Sequence, residues 1–232
     1  MVLTKKEFFK REIDVKNAAL RPGLISLLAL FIAIAGIHET IAQDSEIQTA
    51  HNSLLNENYR EAVIEYTMAI EKFDEYAPSW YGRGMAYYYL DEYDKSLKDF
   101  NRAIELKPDY FEAYFGRGMV NYYKGIYESA LTDFEKAVEL NPESPEAFYA
   151  RANTLHMMDK ESEAYAHYTK AIKLDPDFGM AYYGRAVNNK ARGRQNEALA
   201  DFKTYLDIRG NKDNLEREVI RLIEEIEEDL NK

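Results

Sequence analysis

The sequence contains no cysteine and only six prolines among its 232 residues. The absence of cysteine excludes disulfide bonds, thiolate zinc sites and cysteine nucleophiles. Acidic residues outnumber lysine and arginine by 41 to 30, and a net charge of -11 argues against general nucleic-acid binding, which needs clustered basic residues. A hydrophobic fraction of 46% is enough to build a core, so a wholly disordered chain is also excluded.

Half of the prolines mark a repeat, because Pro108, Pro142 and Pro176 lie 34 residues apart. Other columns recur at the same spacing: the arginines Arg83, Arg117, Arg151 and Arg185, the small residues Gly84, Gly118, Ala152 and Ala186, and the aromatics Phe100, Phe134, Tyr168 and Phe202. Several columns in register indicate a stacked array of repeats. The array divides into units 43–76, 77–110, 111–144, 145–178 and 179–212, of which the first and last are degenerate.

Each unit predicts an antiparallel pair of helices. Residues 79–90 and 95–106 carry apolar residues at helical spacing, and the polar segment 91–94 between them predicts a turn. Pro108 should end the second helix, because proline has no amide donor and clashes with the preceding turn. The small-residue column suits a close crossing of two helices. No segment alternates with a period of two, so we expect an all-α fold without a sheet.

The pattern resembles the tetratricopeptide repeat in the spacing of Trp80, Arg83, Gly84 and Tyr87, followed by Ser96, Phe100, Ala103 and Pro108. The family usually has leucine at the arginine column and alanine where Ser96 stands. The resemblance covers 43–212 and implies a right-handed superhelical solenoid of helix pairs, whose concave groove binds peptides or proteins. A fold alone does not fix a function.

Residues 213–232 predict an additional helix that caps the last repeat. Its apolar residues recur every three or four positions, and glutamates occupy the opposite face: Leu215, Val219, Leu222, Ile226 and Leu230 form the apolar set. An acidic tail that binds a partner is the alternative interpretation.

Residues 1–42 do not follow the repeat. Basic residues precede an apolar run from Leu24 to Ile37, which as a helix would span about 21 Å, short of a hydrocarbon core of about 30 Å. Small residues follow, so we expect a signal peptide cleaved near Ala42 and an exported protein in the periplasm, the medium or the outer envelope surface. The alternative is that the run is retained as an N-terminal membrane anchor.

No catalytic, cofactor or metal motif is evident. The four histidines lack partners at metal-ligand spacing, and no phosphate-binding glycine loop or nucleophile elbow occurs. The carboxylates show no isolated pair suited to acid–base catalysis. His156 and His167 could meet across one helical hairpin, but two partly exposed histidines are the simpler interpretation. We expect no enzyme activity, no cofactor and no metal.

The arginine column predicts ion pairs within the units. Asp99, Asp133 and Asp201 each follow an arginine by 16 residues, which places the two side chains on the paired helices. The alternative is a ladder of cations for an acidic ligand. His167 stands where Arg151 should find its aspartate, so if any of the four arginines is available to a ligand, it is Arg151.

The resemblance implies that the first helix of each pair lines the concave groove. Carried over residue by residue, it gives these candidates for partner binding: Tyr81, Met85, Tyr88, Phe115, Met119, Tyr122, Tyr149, Arg151, Asn153, His156, Tyr183 and Lys190. Aromatic and methionine side chains suit adaptable recognition. Tyrosines at helical spacing serve equally well in packing between repeats, which is the alternative.

These features predict a non-catalytic scaffold that binds a protein or peptide in its groove. A membrane-tethered factor that organises an envelope complex is the alternative, and a homodimer is possible. The membrane is a partner only if the leader is retained. A cytoplasmic co-chaperone is disfavoured, because the carboxylate-holding positions of that family correspond here to Tyr81, Met85, Phe115 and Met119. A hydrolase hidden in the groove is the last alternative.

Overall fold

The structure is a computed structural model, and it describes residues 46–209 and 215–231. Within those ranges the chain forms helices and turns, and no strand occurs. The helices are α1 (46–55), α2 (Tyr59–Lys72), α3 (Ala77–Tyr89), α4 (Tyr93–Leu106), α5 (Phe111–Tyr123), α6 (Tyr127–Leu140), α7 (Pro145–Met157), α8 (Glu161–Leu174), α9 (Gly179–Ala191), α10 (Gln195–Arg209) and α11 (Leu215–Leu230). The predicted leader lies outside the described residues. None of the helices within residues 46–209 and 215–231 combines the length and the apolar character of a membrane-spanning segment.

The chain divides into two compact units, Met1–Val120 and Asn121–Lys232. In the first unit, α3 packs against both α2 and α4. In the second, α7 packs against α6 and α8, α9 packs against α8 and α10, and α11 packs against α10. The predicted all-α arrangement of consecutive helix pairs is therefore confirmed in each unit. The division falls inside α5, within one of the predicted repeats.

The helix ends agree closely with the sequence pattern. In the second repeat, α3 ends at Tyr89 and α4 begins at Tyr93, where the polar turn was predicted. Helix α4 ends at Leu106, so the chain leaves the helix just before Pro108. A proline also lies in the first turn of α3 and of α7, where its missing amide costs no hydrogen bond.

Every first helix is followed by a residue in the left-handed backbone conformation. These residues have φ between 57° and 75° and are Glu57, Asp91, Gly125, Asp159 and Gly193, again spaced by 34. The next amide then bonds to a carbonyl five residues earlier, as Lys160 does to Leu155 at 2.9 Å. This is the Schellman arrangement, in which glycine is the favoured residue. This column was not predicted from the sequence, because three of its five residues are acidic.

We expect the substitution Asp159→Gly to raise the free energy of unfolding by about 0.5–1 kcal/mol. Glycine avoids the steric cost of positive φ, which is about 1–2 kcal/mol. Part of this gain is lost, because glycine also raises the conformational entropy of the unfolded chain. Urea denaturation followed by circular dichroism measures the change. Gly193→Ala is the matched control, because an added Cβ there meets nothing within 4 Å and strains only the backbone. That variant should lose about 1 kcal/mol, and a gain in it would contradict the argument.

Glycines also make room for the fully buried ring of Phe100. A Cβ on Gly84, in the same repeat, would lie 3.0 Å from the ring, as the predicted close crossing requires. A Cβ on Gly116, in the next repeat, would lie 2.7 Å from it. Gly82 faces Tyr66, and Gly184 faces Tyr168, in the same way. Gly82, Gly116, Ala150 and Gly184 form a second small-residue column. Its three glycines receive the aromatic side chain of the preceding repeat.

Candidate functional site

Half of the candidate groove residues are buried. At most 5% of each is exposed in the set Met85, Tyr88, Phe115, Met119, Tyr149 and Tyr183. The ring of Tyr149 lies 5.2 Å from that of Phe178, and Tyr183 contacts Phe202 and Tyr205. Side chains with so little exposed surface pack between helices, which is the alternative that the sequence left open. The structure gives no support for partner contacts at these six positions.

The other six candidates are partly exposed: Tyr81, Tyr122, Arg151, Asn153, His156 and Lys190. Tyr81 lies against Tyr110 in the first unit, with ring centroids 5.4 Å apart. Tyr122, His156 and Lys190 occupy one column of the repeat, on α5, α7 and α9 of the second unit. We call these three residues the 122–156–190 row.

Hydrogen bonds hold the middle of this row. His156 Nδ1 lies 2.9 Å from a carboxylate oxygen of Glu161, at the start of α8. The buried Asn188 on α9 donates to the Glu161 carbonyl at 3.0 Å and to its carboxylate. One turn before His156, Asn153 accepts a 2.6 Å hydrogen bond from the Tyr168 hydroxyl. The imidazole and the amide are therefore fixed in position by neighbouring helices.

The two ends of the row differ in charge and burial. Burial, with smaller contributions from Tyr127 and Tyr123, raises the pKa of Tyr122 to about 12, so this phenol stays protonated and can donate a hydrogen bond. Lys190 pairs with Glu225 of α11 at 3.0 Å, in a contact where the lysine is 29% and the glutamate 54% exposed. A carboxylate therefore already fits against the Lys190 end of the row.

The arginine column forms the predicted ion pairs in two repeats. Arg83 binds both oxygens of Asp99 at 2.7 and 2.8 Å, and Arg185 binds Asp201 with the same geometry. Each arginine also donates to a threonine 16 residues before it, as Arg83 does to Thr67 at 3.2 Å. One guanidinium thus joins the second helices of two successive repeats.

The third pair of this kind is not tested. Arg117 donates to Asn101 at 2.6 Å within the first unit, while Asp133 accepts from Asn121 at 3.2 Å within the second. Because Arg117 and Asp133 belong to different units, their pairing stays a prediction.

Arg151 has a partner, which corrects the expectation that it is available to a ligand. Its Nη2 donates to Glu135 at 2.8 Å, although its buried Nε has no hydrogen bond among the described residues. The residues 16 positions before the arginines are Thr67, Asn101, Glu135 and Thr169. A carboxylate, that of Glu135, occupies this position before Arg151, which is the arginine whose aspartate is replaced by His167. Glu135 could therefore have been predicted from the sequence as the partner of Arg151.

His167 is held as a neutral ring. It stacks on Phe148 with centroids 5.9 Å apart, and burial together with the nearby Arg151 charge lowers its pKa to about 4. His156 instead contacts Glu161, so the two histidines serve different neighbours. Among residues 46–209 and 215–231, no group of three histidine, aspartate or glutamate side chains could hold a metal ion.

We expect the stability to fall as the pH is lowered from 6.5 to 4.5, in part because of His167. Its ordinary pKa is 6.5 and its folded pKa is about 4, so within this window the unfolded chain binds a proton that the folded chain does not. After allowance for partial exposure, the loss is about 1–2 kcal/mol. Urea denaturation at both pH values measures it. His167→Phe keeps the stacking and removes the titration, so an unchanged pH dependence in that variant would contradict this assignment.

Comparison with known proteins agrees with this geometry. A model of the tetratricopeptide repeat matches residues 77–110 and 145–178, and a second model, described as a TPR repeat, matches residues 120–159. The chain is a tetratricopeptide repeat (TPR) protein. TPR proteins are protein-interaction scaffolds, and the fold belongs to a non-catalytic family. No curated protein matches the sequence.

Solved structures of TPR proteins share the fold. PilF of Pseudomonas aeruginosa superposes with a TM-score of 0.73 at 18% identity, over 82% of this chain and 86% of that one. PilW, described as a type IV pilus biogenesis factor, gives 0.71 at 19% identity, over 82% and 92%. YrrB, described as a TPR protein with an unusual peptide-binding site, gives 0.63 at 20% identity, over 82% and 97%. At these identities the likeness shows the fold alone.

Proposed function

We propose that this TPR protein is an exported scaffold that binds a protein or extended peptide along the first helices of its second unit. The 122–156–190 row carries the proposal. It places a phenol, an imidazole and an ammonium group at the same position of three successive repeats, each partly exposed. Tyr149 and Tyr183 of this unit are buried and pack its helices together, and the polar residues supply the contacts.

The chemistry of the row favours a partner that brings hydrogen-bond acceptors at regular spacing. The neutral phenol of Tyr122 and the ammonium of Lys190 are donors, and His156 is oriented by Glu161. Glu225 already supplies a carboxylate to Lys190 from within the chain. An extended peptide with carbonyl or carboxylate groups can make the same contacts. The peptide-binding site named for YrrB is compatible with this use of a TPR fold.

Capture of a partner by the 43–232 fragment from envelope extracts tests the proposal. We expect the double variant His156→Ala and Lys190→Ala to lose the captured partner while its circular dichroism stays unchanged. The matched control is the double variant Lys136→Ala and Lys170→Ala, which removes two partly exposed lysines from the second helices. Equal capture by both double variants would show that the partner binds elsewhere.

Export is the second part of the proposal, and it rests on the basic and apolar pattern of the first 42 residues. The alternative is a tethered assembly factor with an uncleaved anchor, and PilW shows that a TPR fold can belong to a biogenesis factor. The intact mass of the native protein distinguishes the two. A mass reduced by about 42 residues, as expected for cleavage near Ala42, supports export, and the full mass supports tethering.

A further inference from the structure

Two arginines in the turn between α9 and α10 lie against one tyrosine of the preceding repeat. The guanidinium carbons of Arg192 and Arg194 lie 5.4 and 5.5 Å from the ring centroid of Tyr165 on α8. Arg192 also reaches the Ser162 hydroxyl at 3.4 Å. Arg194 is exposed, and Arg192 and Tyr165 are partly exposed. We call Arg192, Arg194 and Tyr165 the turn cluster.

Neither arginine of the turn cluster forms an ion pair in the described part of the chain. A third guanidinium, that of Arg185, lies 5.9 Å from the same ring, but it is neutralised by Asp201. The nearby ammonium group of Lys190 is paired with Glu225. The turn cluster therefore holds two positive charges that are not balanced by an ion pair, in a chain whose net charge is -11.

The acidic side chains that are close in sequence do not fill this role. Glu161 is bound to the imidazole of the 122–156–190 row. Glu163 acts on His167, on the other side of α8 from the ring of the turn cluster. Asp159 and Glu197 are exposed and, among the described residues, form no ion pair with either arginine. These carboxylates reduce the positive potential at the turn but leave both guanidinium groups able to pair.

The stacking of repeats does not require the residues of the turn cluster. The other repeats hold different side chains at the positions of the two arginines: Asn56 and Asn58, Leu90 and Glu92, Lys124 and Ile126, Met158 and Lys160. At the position of Tyr165 the other repeats have an aliphatic residue: Val63, Leu97, Leu131 and Leu199. An aliphatic side chain therefore satisfies the packing, and the tyrosine with its two arginines is specific to this turn.

The chemistry of the turn cluster favours carboxylate groups. Elsewhere in this chain, Arg83, Arg151 and Arg185 each bind a carboxylate. An aromatic ring beside a guanidinium limits its rotation and leaves N–H groups at its edge for charge-assisted hydrogen bonds. A nucleic acid is disfavoured, because the net charge of -11 repels a long polyanion. A short peptide with a few carboxylates meets much less of this repulsion.

We propose that the turn cluster binds an acidic peptide segment of a partner protein. The carboxylates of the segment pair with Arg192 and Arg194, and Tyr165 is a positioning residue that orients both guanidinium groups. The site is separate from the 122–156–190 row and does not require that the row bind a partner. It also lies outside the groove positions at which members of the family hold a carboxylate, which are apolar or aromatic here.

Fluorescence anisotropy of a fluorescein-labelled peptide of eight glutamates, titrated with the full chain at low ionic strength, tests the proposal. The wild type should bind this peptide and should not bind a peptide of eight glutamines. Arg192→Ala with Arg194→Ala should weaken binding by about tenfold, because two ion pairs are lost. Added salt should weaken the binding of the wild type, because it screens exposed charges.

The matched control is the double variant Arg217→Ala and Arg221→Ala. It removes the same charge from two exposed arginines of α11, which lie among glutamates, and should bind like the wild type. Tyr165→Leu introduces the residue of three other repeats and keeps both arginines. It should weaken binding by about threefold, because the guanidinium groups are no longer oriented. Circular dichroism shows whether the helices of each variant are intact.

Several outcomes would overturn the proposal. One is a wild type that does not bind the glutamate peptide, and another is an equal loss in the two double arginine variants, which would show an effect of net charge alone. Loss of peptide binding in His156→Ala would place the peptide on the row instead. Binding to phosphatidylglycerol vesicles but not to the peptide would identify a membrane surface as the occupant. Self-association in ultracentrifugation that is lost with Arg192 and Arg194 would identify a second copy.

Discussion

Replacing Arg83 with methionine should lower the free energy of unfolding by about 3–5 kcal/mol. Methionine keeps much of the apolar stem but removes the guanidinium, which leaves the Asp99 carboxylate without its two charge-assisted hydrogen bonds. The Asp99 side chain is only 5% exposed, so water cannot replace them. Urea denaturation followed by far-ultraviolet circular dichroism measures the loss.

The chain provides a matched control at the equivalent arginine of another repeat. Arg151 binds Glu135, whose side chain is 45% exposed and returns to water when the arginine is removed. Arg151→Met should therefore cost about 1 kcal/mol or less. The double variant Arg83→Met with Asp99→Leu should recover much of the stability, because no buried charge remains. Equal losses at Arg83 and Arg151 would show that burial of the carboxylate does not set the cost.

Removing the ring of Phe100 is expected to have an effect of similar size. Phe100→Ala should cost about 3–5 kcal/mol, because the ring is fully buried and lies against helices of two successive repeats through Gly84 and Gly116. The free energy of unfolding in urea is again the measurement. Phe100→Leu, which fills more of the space, should cost clearly less.

The reverse change tests the same contact from the glycine side. Gly116→Ala should cost about 1–3 kcal/mol in the wild type, because the new methyl group meets the ring. In the Phe100→Leu background the cost should shrink, since leucine has no atom at the far end of the ring. An equal cost in both backgrounds would mean that the glycine is required for another reason. Ala150, the equivalent residue of a later repeat, already carries a Cβ.

The sequence predicted the helix pairs because the repeat supplies the same evidence several times. A single Pro108 or Gly84 is a weak signal, but the same residue types every 34 positions indicate one structural unit repeated in register. The same periodicity predicted the Arg–Asp pairs of two repeats, because residues 16 positions apart lie side by side on two antiparallel helices. Periodicity thus determines which residues lie on the same face.

Other features also recur with the repeat, but they were not predicted, because the residue type varies within the column. The left-handed residue after each first helix is glycine in two repeats and acidic in three, so no single residue type marks it. Glu135 replaces the aspartate missing at His167, but it comes from the preceding repeat. Compensation of this kind becomes visible only when it is known that one arginine reaches the second helices of two repeats.

The period, the all-α fold, the helix ends and two of the ion pairs could be predicted from the sequence, because each depends on local spacing or on columns that recur. Tertiary structure decided which tyrosines and methionines are buried and which polar residues remain partly exposed. Periodicity places Tyr88 and Tyr122 in the same column, yet Tyr88 is 1% exposed and Tyr122 is not buried. Exposure depends on the neighbouring repeats, whose side chains differ, and so it follows from packing rather than from the period.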